Sequence, residues 1–239
     1  MNRIVITSVV GTIAAAALVV GAGAPAFAST SNSNPSAKTT RTLESVQTAA
    51  KTATDKRETA LSAAIAKLDV AKGISASDKA TLVDRLNADL AGMKAIEAKI
   101  AADTTVVAAS ADLKTVYTTY RVFGVAIPQA HIVAEIDRAT SIEIPKLTAS
   151  QTKLGAMLAG KDAAKSTAAL QSDLADMTKQ IAAANTELSG ASAKVLAITP
   201  TDYNSNKTVV KSARASVKTA KSDLKQARTD RKAILAALK

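Results

Sequence analysis

The sequence contains no cysteine and no tryptophan, and it has one histidine among its 239 residues. Without cysteine, no disulfide, lipid-modified cysteine or thiolate metal site can form. The fold must therefore be stabilised by side-chain packing alone. Aromatic residues make up only 2% of the chain, so Leu, Ile, Val and the many alanines must fill the interior. Alanine is the best helix former, and its small side chain lets helices approach closely.

Glycine and proline are also scarce, with nine and five residues respectively. From residue 43 onward the apolar spacing is helical, and no alternating strand pattern is present. The sequence therefore predicts an all-α protein. We expect an elongated antiparallel bundle of five or six helices over residues 41–239, which ends in a coiled-coil hairpin over residues 162–239.

The first 28 residues predict a secretory signal peptide. Arg3 precedes an apolar run, and Ala26-Phe27-Ala28 places small residues at the positions that signal peptidase recognises. The alternative is an uncleaved membrane anchor, but the run over residues 4–20 is short for a transmembrane helix. We expect cleavage between Ala28 and Ser29, and a protein that is secreted or associated with the cell envelope.

Residues 29–40 follow as a leader rich in Ser, Thr and Asn, which is predicted to be disordered. Beyond it, Gly73 is placed to end a first helix, and Ser75 is typical of the N-cap of a second helix that runs to about residue 102. A third helical stretch is predicted over residues 106–159. Pro128 and Pro145 are expected to kink or divide it.

Two series of apolar residues near the C-terminus step by four and three positions. The first runs from Leu170 to Ile198, and the second from Val210 to Leu238, with Arg231 at one of its positions. A strict 3.5-residue period indicates coiled-coil packing. The short proline-containing break at 199–202 predicts that the two helices form an antiparallel hairpin with arms of similar length.

No pattern of catalytic residues is present. His131 lies beside Pro128 in an apolar segment, which favours a hydrogen-bonded core residue over a member of a Ser-His-Asp site. Tyr117, Tyr120 and Phe123 recur at helical spacing, which favours a packing cluster over a platform for stacking ligands. The sequence therefore predicts no enzyme, no cofactor, no metal site and no small-molecule substrate.

Two pairs of aspartates are candidates for acid–base pairs. Asp173 with Asp176, and Asp84 with Asp89, have no accompanying pocket signal. We expect all four to lie on solvated helix faces.

Positive charge is concentrated in the last helix. Residues 207–239 hold ten basic and two acidic side chains, a net charge of +8, within a chain whose net charge is +11. Eight cations recur at alternating steps of four and three, and we call them the cationic line: Lys207, Lys211, Arg214, Lys218, Lys221, Lys225, Arg228 and Lys232.

The predicted hairpin partners of the cationic line are uncharged, so the hairpin does not neutralise it. Positions 171, 178, 185 and 192, which the heptad register places opposite half of the line, are Gln, Thr, Asn and Ser. Like charges at these spacings repel one another. Two interpretations stay open: a solvated face, which carboxylates of the first two helices could cover, or a stripe that binds polyanions.

Three segments are similar to a group of exported, alanine-rich helical proteins of actinobacteria. They are YRVFGVAIPQAHIVAEIDR (120–138), SASDKATL (75–82) and ITPTDYN (198–204). The resemblance implies an envelope-associated or secreted helical protein, and it supplies no activity because these segments are packing and capping motifs.

Two functions are therefore expected. The first is a structural or interaction protein of the cell envelope, built from helical hairpins, which contacts other helical proteins or itself. The second is a module that binds wall polymers, anionic lipid surfaces or nucleic acid through the cationic line.

Overall fold

The computed structural model describes residues 41–239. The predicted signal peptide (1–28) and leader (29–40) lie outside the described residues. Within residues 41–239 every regular element is a helix and no strand is present, so the predicted all-α fold is confirmed. None of the helices in this part of the chain combines the length and the hydropathy that crossing a bilayer requires.

The first three helices pack against one another as an N-terminal group. They are α1 (Leu43–Val70), α2 (Ala76–Ala102) and α3 (Val106–Thr118). Each begins at a hydroxyl N-cap that accepts a hydrogen bond from the backbone N–H three residues on: Thr42, Ser75 and Thr105. The predicted cap at Ser75 is thus confirmed, with 3.0 Å between its Oγ and the Asp78 nitrogen.

The chain next breaks at Thr119–Arg121, ahead of both prolines. Arg121 has φ of 45° and lies in the left-handed region. From Val122 to Ala159 the backbone then stays helical through a π turn (Val122–Ala126), α4 (Ile127–Arg138), a second π turn (Ala139–Glu143) and α5 (Ile144–Ala159). The break that the sequence placed at the prolines therefore lies earlier, at Arg121.

A π turn precedes each proline of this segment. The Ile127 nitrogen donates to the Val122 oxygen, and the Ile144 nitrogen donates to the Ala139 oxygen, so each bond spans five residues. A proline inside an α-helix has no N–H to donate, and its ring collides with the carbonyl four residues earlier. A wider turn at this point lets the helix continue.

The last part of the chain forms the predicted antiparallel hairpin. After a short 3₁₀ turn come α6 (Ala168–Leu188), α7 (Ala191–Leu196), α8 (Pro200–Ser205) and α9 (Val209–Ala237). Helices α6 and α9 make the most extensive contact between any two elements. They are antiparallel, because Lys165 before α6 donates from Nζ to the Leu238 carbonyl after α9 at 2.8 Å.

The seam of the hairpin follows the predicted apolar steps. Most of the predicted positions on both helices are buried: Leu170, Met177, Ile181, Ala184, Leu188, Val210, Val217, Ala220, Leu224, Ala227 and Ile234. At one step the prediction is wrong, because Asp230 is the buried residue, at 6% exposure, and Arg231 is half-buried beside it.

The arms of the hairpin are not of similar length, which corrects the prediction of one helix to Ile198. Helix α6 ends at Leu188 after 21 residues, whereas α9 has 29. Gly190 takes φ of 65°, a left-handed conformation that turns the chain off the helix axis. Helix α7 then packs on α4, where the buried Gln129 amide donates to the carbonyls of Val195 and Ile198.

The helical segment over residues 122–159 connects the two groups of helices. Its first half contacts α1, α2, α7 and α9, and its second half contacts α6 and α9. At 1.5 Å per residue this segment is about 57 Å long, so the bundle is elongated. One continuous cluster of buried apolar side chains extends from Val46 in α1 to Leu238.

Candidate functional site: the cationic line

The cationic line lies on the outer side of α9. Seven of its residues belong to the helix, and Lys207 lies in the turn before it. Seven of the eight side chains are exposed, and Arg228 is half-buried. The line faces outward because α9 turns its apolar side to α6, with Leu224 and Ala227 fully buried in the seam. The seven cations of α9 thus lie along one side of the helix, and Lys207 lies outside it.

Two cations of the line have carboxylate partners. Lys221 Nζ lies 3.1 Å from Glu135 Oε1 of α4, and Arg228 pairs with Glu143 in the second π turn. The sequence placed any covering carboxylates on the first two helices. The structure instead draws both from the connecting segment over residues 122–159.

The other six cations form no ion pair within residues 41–239. They are Lys207, Lys211, Arg214, Lys218, Lys225 and Lys232. Four of them, at positions 211, 218, 225 and 232, recur every seventh residue, so they lie roughly 10 Å apart along the helix. Such a row can contact successive charges of a polyanion without any change in the fold.

Of the four uncharged residues predicted to lie opposite the cationic line on the preceding helix, three lie on α6 and one does not. Gln171, Thr178 and Asn185 are exposed on α6, and none of them carries charge. Ser192 does not belong to the hairpin, because it lies on α7 and its hydroxyl donates to Asp137 Oδ1 at 2.6 Å. Helix α6 therefore leaves the line without a counter-charge, although the register over its last turns is not the predicted one.

Negative charge collects on the opposite side of the same hairpin. Asp230 is buried, and its Oδ1 accepts a hydrogen bond from Gln226 at 2.7 Å. Burial raises the pKa of Asp230, and the nearby carboxylates of Asp176 and Asp173 raise it further. The half-buried aspartates 173 and 176 therefore do not lie on a fully solvated face, which corrects the expectation for that pair.

His131 is not the core residue that its apolar surroundings predict. Its side chain is exposed on α4, because the flanking residues Ala130 and Ile132 turn inward instead. The buried polar residues of α4 are instead Gln129 and Asp137. The sequence holds a signal for this placement, because His131, Glu135 and Arg138 recur at steps of four and three, which puts them on one face of α4, and all three are exposed.

Asp89 lines a cavity between α2, α4 and the chain after α7. The cavity has a volume of about 320 Å³ and largely apolar walls, among them Leu86 and Val125. Burial raises the pKa of the Asp89 carboxyl to about 6. Its sequence partner Asp84 is exposed, as predicted, and no group of three or more acidic or histidine side chains in the described chain could hold a metal ion.

The three clustered aromatic residues do not form one packing cluster. Tyr120 packs inward, where its ring occupies the space beside Gly92 on α2. Tyr117 and Phe123 remain exposed, and both rings lie beside the Arg57 guanidinium of α1. No local sequence pattern indicates this arrangement, because Arg57 is distant along the chain.

No family model, curated protein or solved structure matches this chain.

Proposed function

We propose that this is an exported, non-enzymatic interaction protein, and that it holds anionic polymers of the cell wall through the cationic line. The bundle acts as a spacer, and α9 supplies the contact surface. The predicted signal peptide supports a location outside the cytoplasmic membrane. The resemblance to exported helical proteins supports the same location.

One observation carries this proposal. Six of the eight cations have no carboxylate partner within residues 41–239, although the chain has 20 acidic residues to offer. Unpaired like charges on one helix repel one another, by a few tenths of a kcal/mol per neighbouring pair. A bound polyanion would remove that repulsion and release its own condensed counterions, which is the main source of affinity when proteins bind nucleic acid.

The test compares two variants of equal charge. In the first, Lys211, Lys218, Lys225 and Lys232 are replaced with Gln. In the matched control, four exposed lysines outside the line are replaced: Lys56, Lys67, Lys94 and Lys153. Lys51 and Lys99 are left out of the control because both form ion pairs, at 3.1 Å and 2.9 Å.

The measurement is retention of the mature protein on purified cell walls across a series of salt concentrations. We expect the line variant to lose retention at a lower salt concentration than the control, and both to melt like the parent protein. Equal losses of retention from the two variants would show that the cationic line is only a solvated face. Stronger retention on anionic vesicles or nucleic acid than on walls would assign the line to those polyanions instead.

Export has its own test. Sequencing the N-terminus of protein recovered from the envelope or the medium should return Ser29. Recovery of the intact Met1 end there would contradict cleavage.

A further inference from the structure

A second surface, on the N-terminal group of helices, combines arginine with aromatic rings. A cleft of about 250 Å³ lies between α1, the end of α3, the first π turn and α8. We call it the aromatic–arginine cleft and define it by Arg57, Tyr117, Arg121, Phe123 and Tyr203. These five residues supply two guanidinium groups and three aromatic rings, and no Asp or Glu lines the cleft.

Arg57 is a buried cation without a counter-ion. Its side chain is 9% exposed, and no carboxylate in residues 41–239 lies within ion-pair distance. Its Nη1 donates to the Ala53 carbonyl at 2.7 Å, whereas its Nε is buried with no partner. Buried charges in proteins are ordinarily paired, so this guanidinium has an unfilled capacity to bind an anion.

Two rings flank this guanidinium and remain open to solvent. The Arg57 guanidinium carbon lies 4.4 Å from the centroid of the Tyr117 ring and 5.2 Å from that of Phe123. The two side chains are 44% and 53% exposed. Tyr and Arg are enriched among the residues that contribute most to binding, so a Tyr ring and a Phe ring left open beside a buried guanidinium are placed to contact a ligand.

Arg121 forms the edge of the cleft in a strained conformation. Within residues 41–239 it is the only non-glycine residue with positive φ. The turn is held in place by hydrogen bonds from the Gly124 and Val125 nitrogens to the Arg121 carbonyl, at 2.9 Å and 2.7 Å. The Arg121 guanidinium carbon lies 5.4 Å from the Tyr203 ring centroid. Strain of this kind clusters at ligand-binding sites.

We propose that the aromatic–arginine cleft binds a small planar carboxylate, such as an aromatic acid. A guanidinium matches a carboxylate with two parallel hydrogen bonds, and the exposed rings stack on a flat partner. The volume lies below the range of 300–1,000 Å³ that is typical of sites for drug-sized ligands, so the site accommodates one ring system with its acid group. This ligand is separate from the polyanion of the cationic line.

The absence of tryptophan makes a direct titration possible. Indole-3-acetate is added as the probe to the full mature chain, and its own indole fluorescence is excited beyond the tyrosine absorption band, where the protein does not respond. We expect saturable binding. Cyclohexylacetate, which has the charge without the flat ring, is added as a competitor. Indole-3-ethanol, which has the ring without the charge, is titrated separately by its own fluorescence. Each should bind at least roughly tenfold more weakly than indole-3-acetate.

Variants assign the binding to the cleft. Arg57→Met keeps an unbranched apolar stem against the rings and removes the cation, and it should weaken indole-3-acetate binding roughly tenfold or more. Phe123→Ala and Arg121→Met should also weaken it. These two variants still test the proposal if circular dichroism shows that Arg57→Met does not fold, because Phe123 and Arg121 are at least partly exposed.

The matched control is Arg214→Met, which removes an exposed, unpaired arginine of the cationic line and should leave the affinity unchanged. An equal loss in this control, equal binding of indole-3-ethanol, or no saturable binding would each overturn the proposal. The four-lysine line variant should bind indole-3-acetate normally, so failure of the polymer proposal and failure of this one can be told apart.

Discussion

The N-terminal and C-terminal groups of helices differ in how their charged side chains are paired. In the N-terminal group, Lys51 bridges Asp55 and Glu97, at 3.1 Å to each, and Lys99 pairs with Asp112 at 2.9 Å. These pairs connect α1 with α2, and α2 with α3. In the C-terminal group, α9 holds the cationic line on one side and the buried Asp230 on the other, and two cations of the line pair with carboxylates of residues 41–239.

This difference shows that net charge alone does not describe an all-α surface. Where α1, α2 and α3 meet, opposite charges lie opposite each other and neutralise locally. On the hairpin, charges of one sign are gathered on each side, which costs repulsion within the helix but leaves a field that extends into solvent. The same fold class therefore supports both arrangements, and in the N-terminal group Arg57 is the exception to local pairing.

The largest expected effect tests whether the two groups share one core. Leu61 in α1 and Leu224 in α9 are both fully buried and belong to the same apolar cluster. Replacing either with Ala should lower the free energy of unfolding by about 2–5 kcal/mol. Because the core is continuous, each variant should still unfold in a single transition in urea, followed by circular dichroism.

A matched control for this pair is Leu235→Ala, at a position that is 39% exposed. It should change the free energy of unfolding by less than about 0.5 kcal/mol. Two separate transitions, of which Leu61→Ala shifts only one, would mean that the two groups fold independently and that the comparison describes two domains.

A smaller expected effect is the pH dependence of stability that Asp89, in the N-terminal group, causes. Burial raises the pKa of Asp89 from 3.8 to about 6. Between these two pH values the folded protein therefore keeps a proton that the unfolded chain has lost. The stability that the protonated Asp89 carboxyl contributes is therefore fully present below about pH 4 and is lost as pH rises through about 6. Asp89→Asn should raise stability at pH 7 by about 1 kcal/mol, after allowance for solvent screening, and change little at pH 4.

Thermal melts at the two pH values measure this effect. Asp84→Asn, on the exposed face of the same helix, is the control and should shift neither melt. A gain from Asp89→Asn that is equal at pH 4 and pH 7 would show that the carboxyl does not carry the pH dependence.

The smallest effect compares one carboxylate from each region. Glu97 is 26% exposed and accepts from Lys51 and from the buried Thr54 hydroxyl, the latter at 2.8 Å. Glu135 is 51% exposed and forms an ion pair with Lys221. In urea titrations Glu97→Ala should cost about 1 kcal/mol, and Glu135→Ala less than about 0.5 kcal/mol.

Glu135→Ala should also strengthen retention on cell walls, because it frees a further cation of the line, whereas Glu97→Ala should strengthen it less. Equal stability losses would show that the two regions hold their charges in the same way after all.

Periodic features of the sequence predicted much of the fold. The alternating steps of four and three gave the hairpin and most of its seam, because a repeated period averages over many residues. The N-cap at Ser75 was also predictable, since it depends on residues close together in sequence.

Features that depend on one residue or on distant contacts were not predictable. Gly190 interrupts a faultless apolar pattern, and the pattern continues past it on a helix with another axis. Glu135 and Glu143 reach the cationic line across a helix contact that no local spacing encodes. Arg57 meets Phe123 from a position 66 residues away, so the candidate cleft could be found only in three dimensions.

The π turn over Ala139–Glu143 has a consequence for insertions and deletions. Ala139 and Ile144 are five residues apart, yet both are buried, because the wide turn carries one residue more than an α-helical turn. Deleting one residue of this turn would restore a regular α-helix and rotate everything downstream by about 100°. Leu147, Leu154 and Leu158 would then leave the interior together. The turn thus sets the phase between the two halves of this segment, so that both halves turn their apolar residues toward the same continuous core.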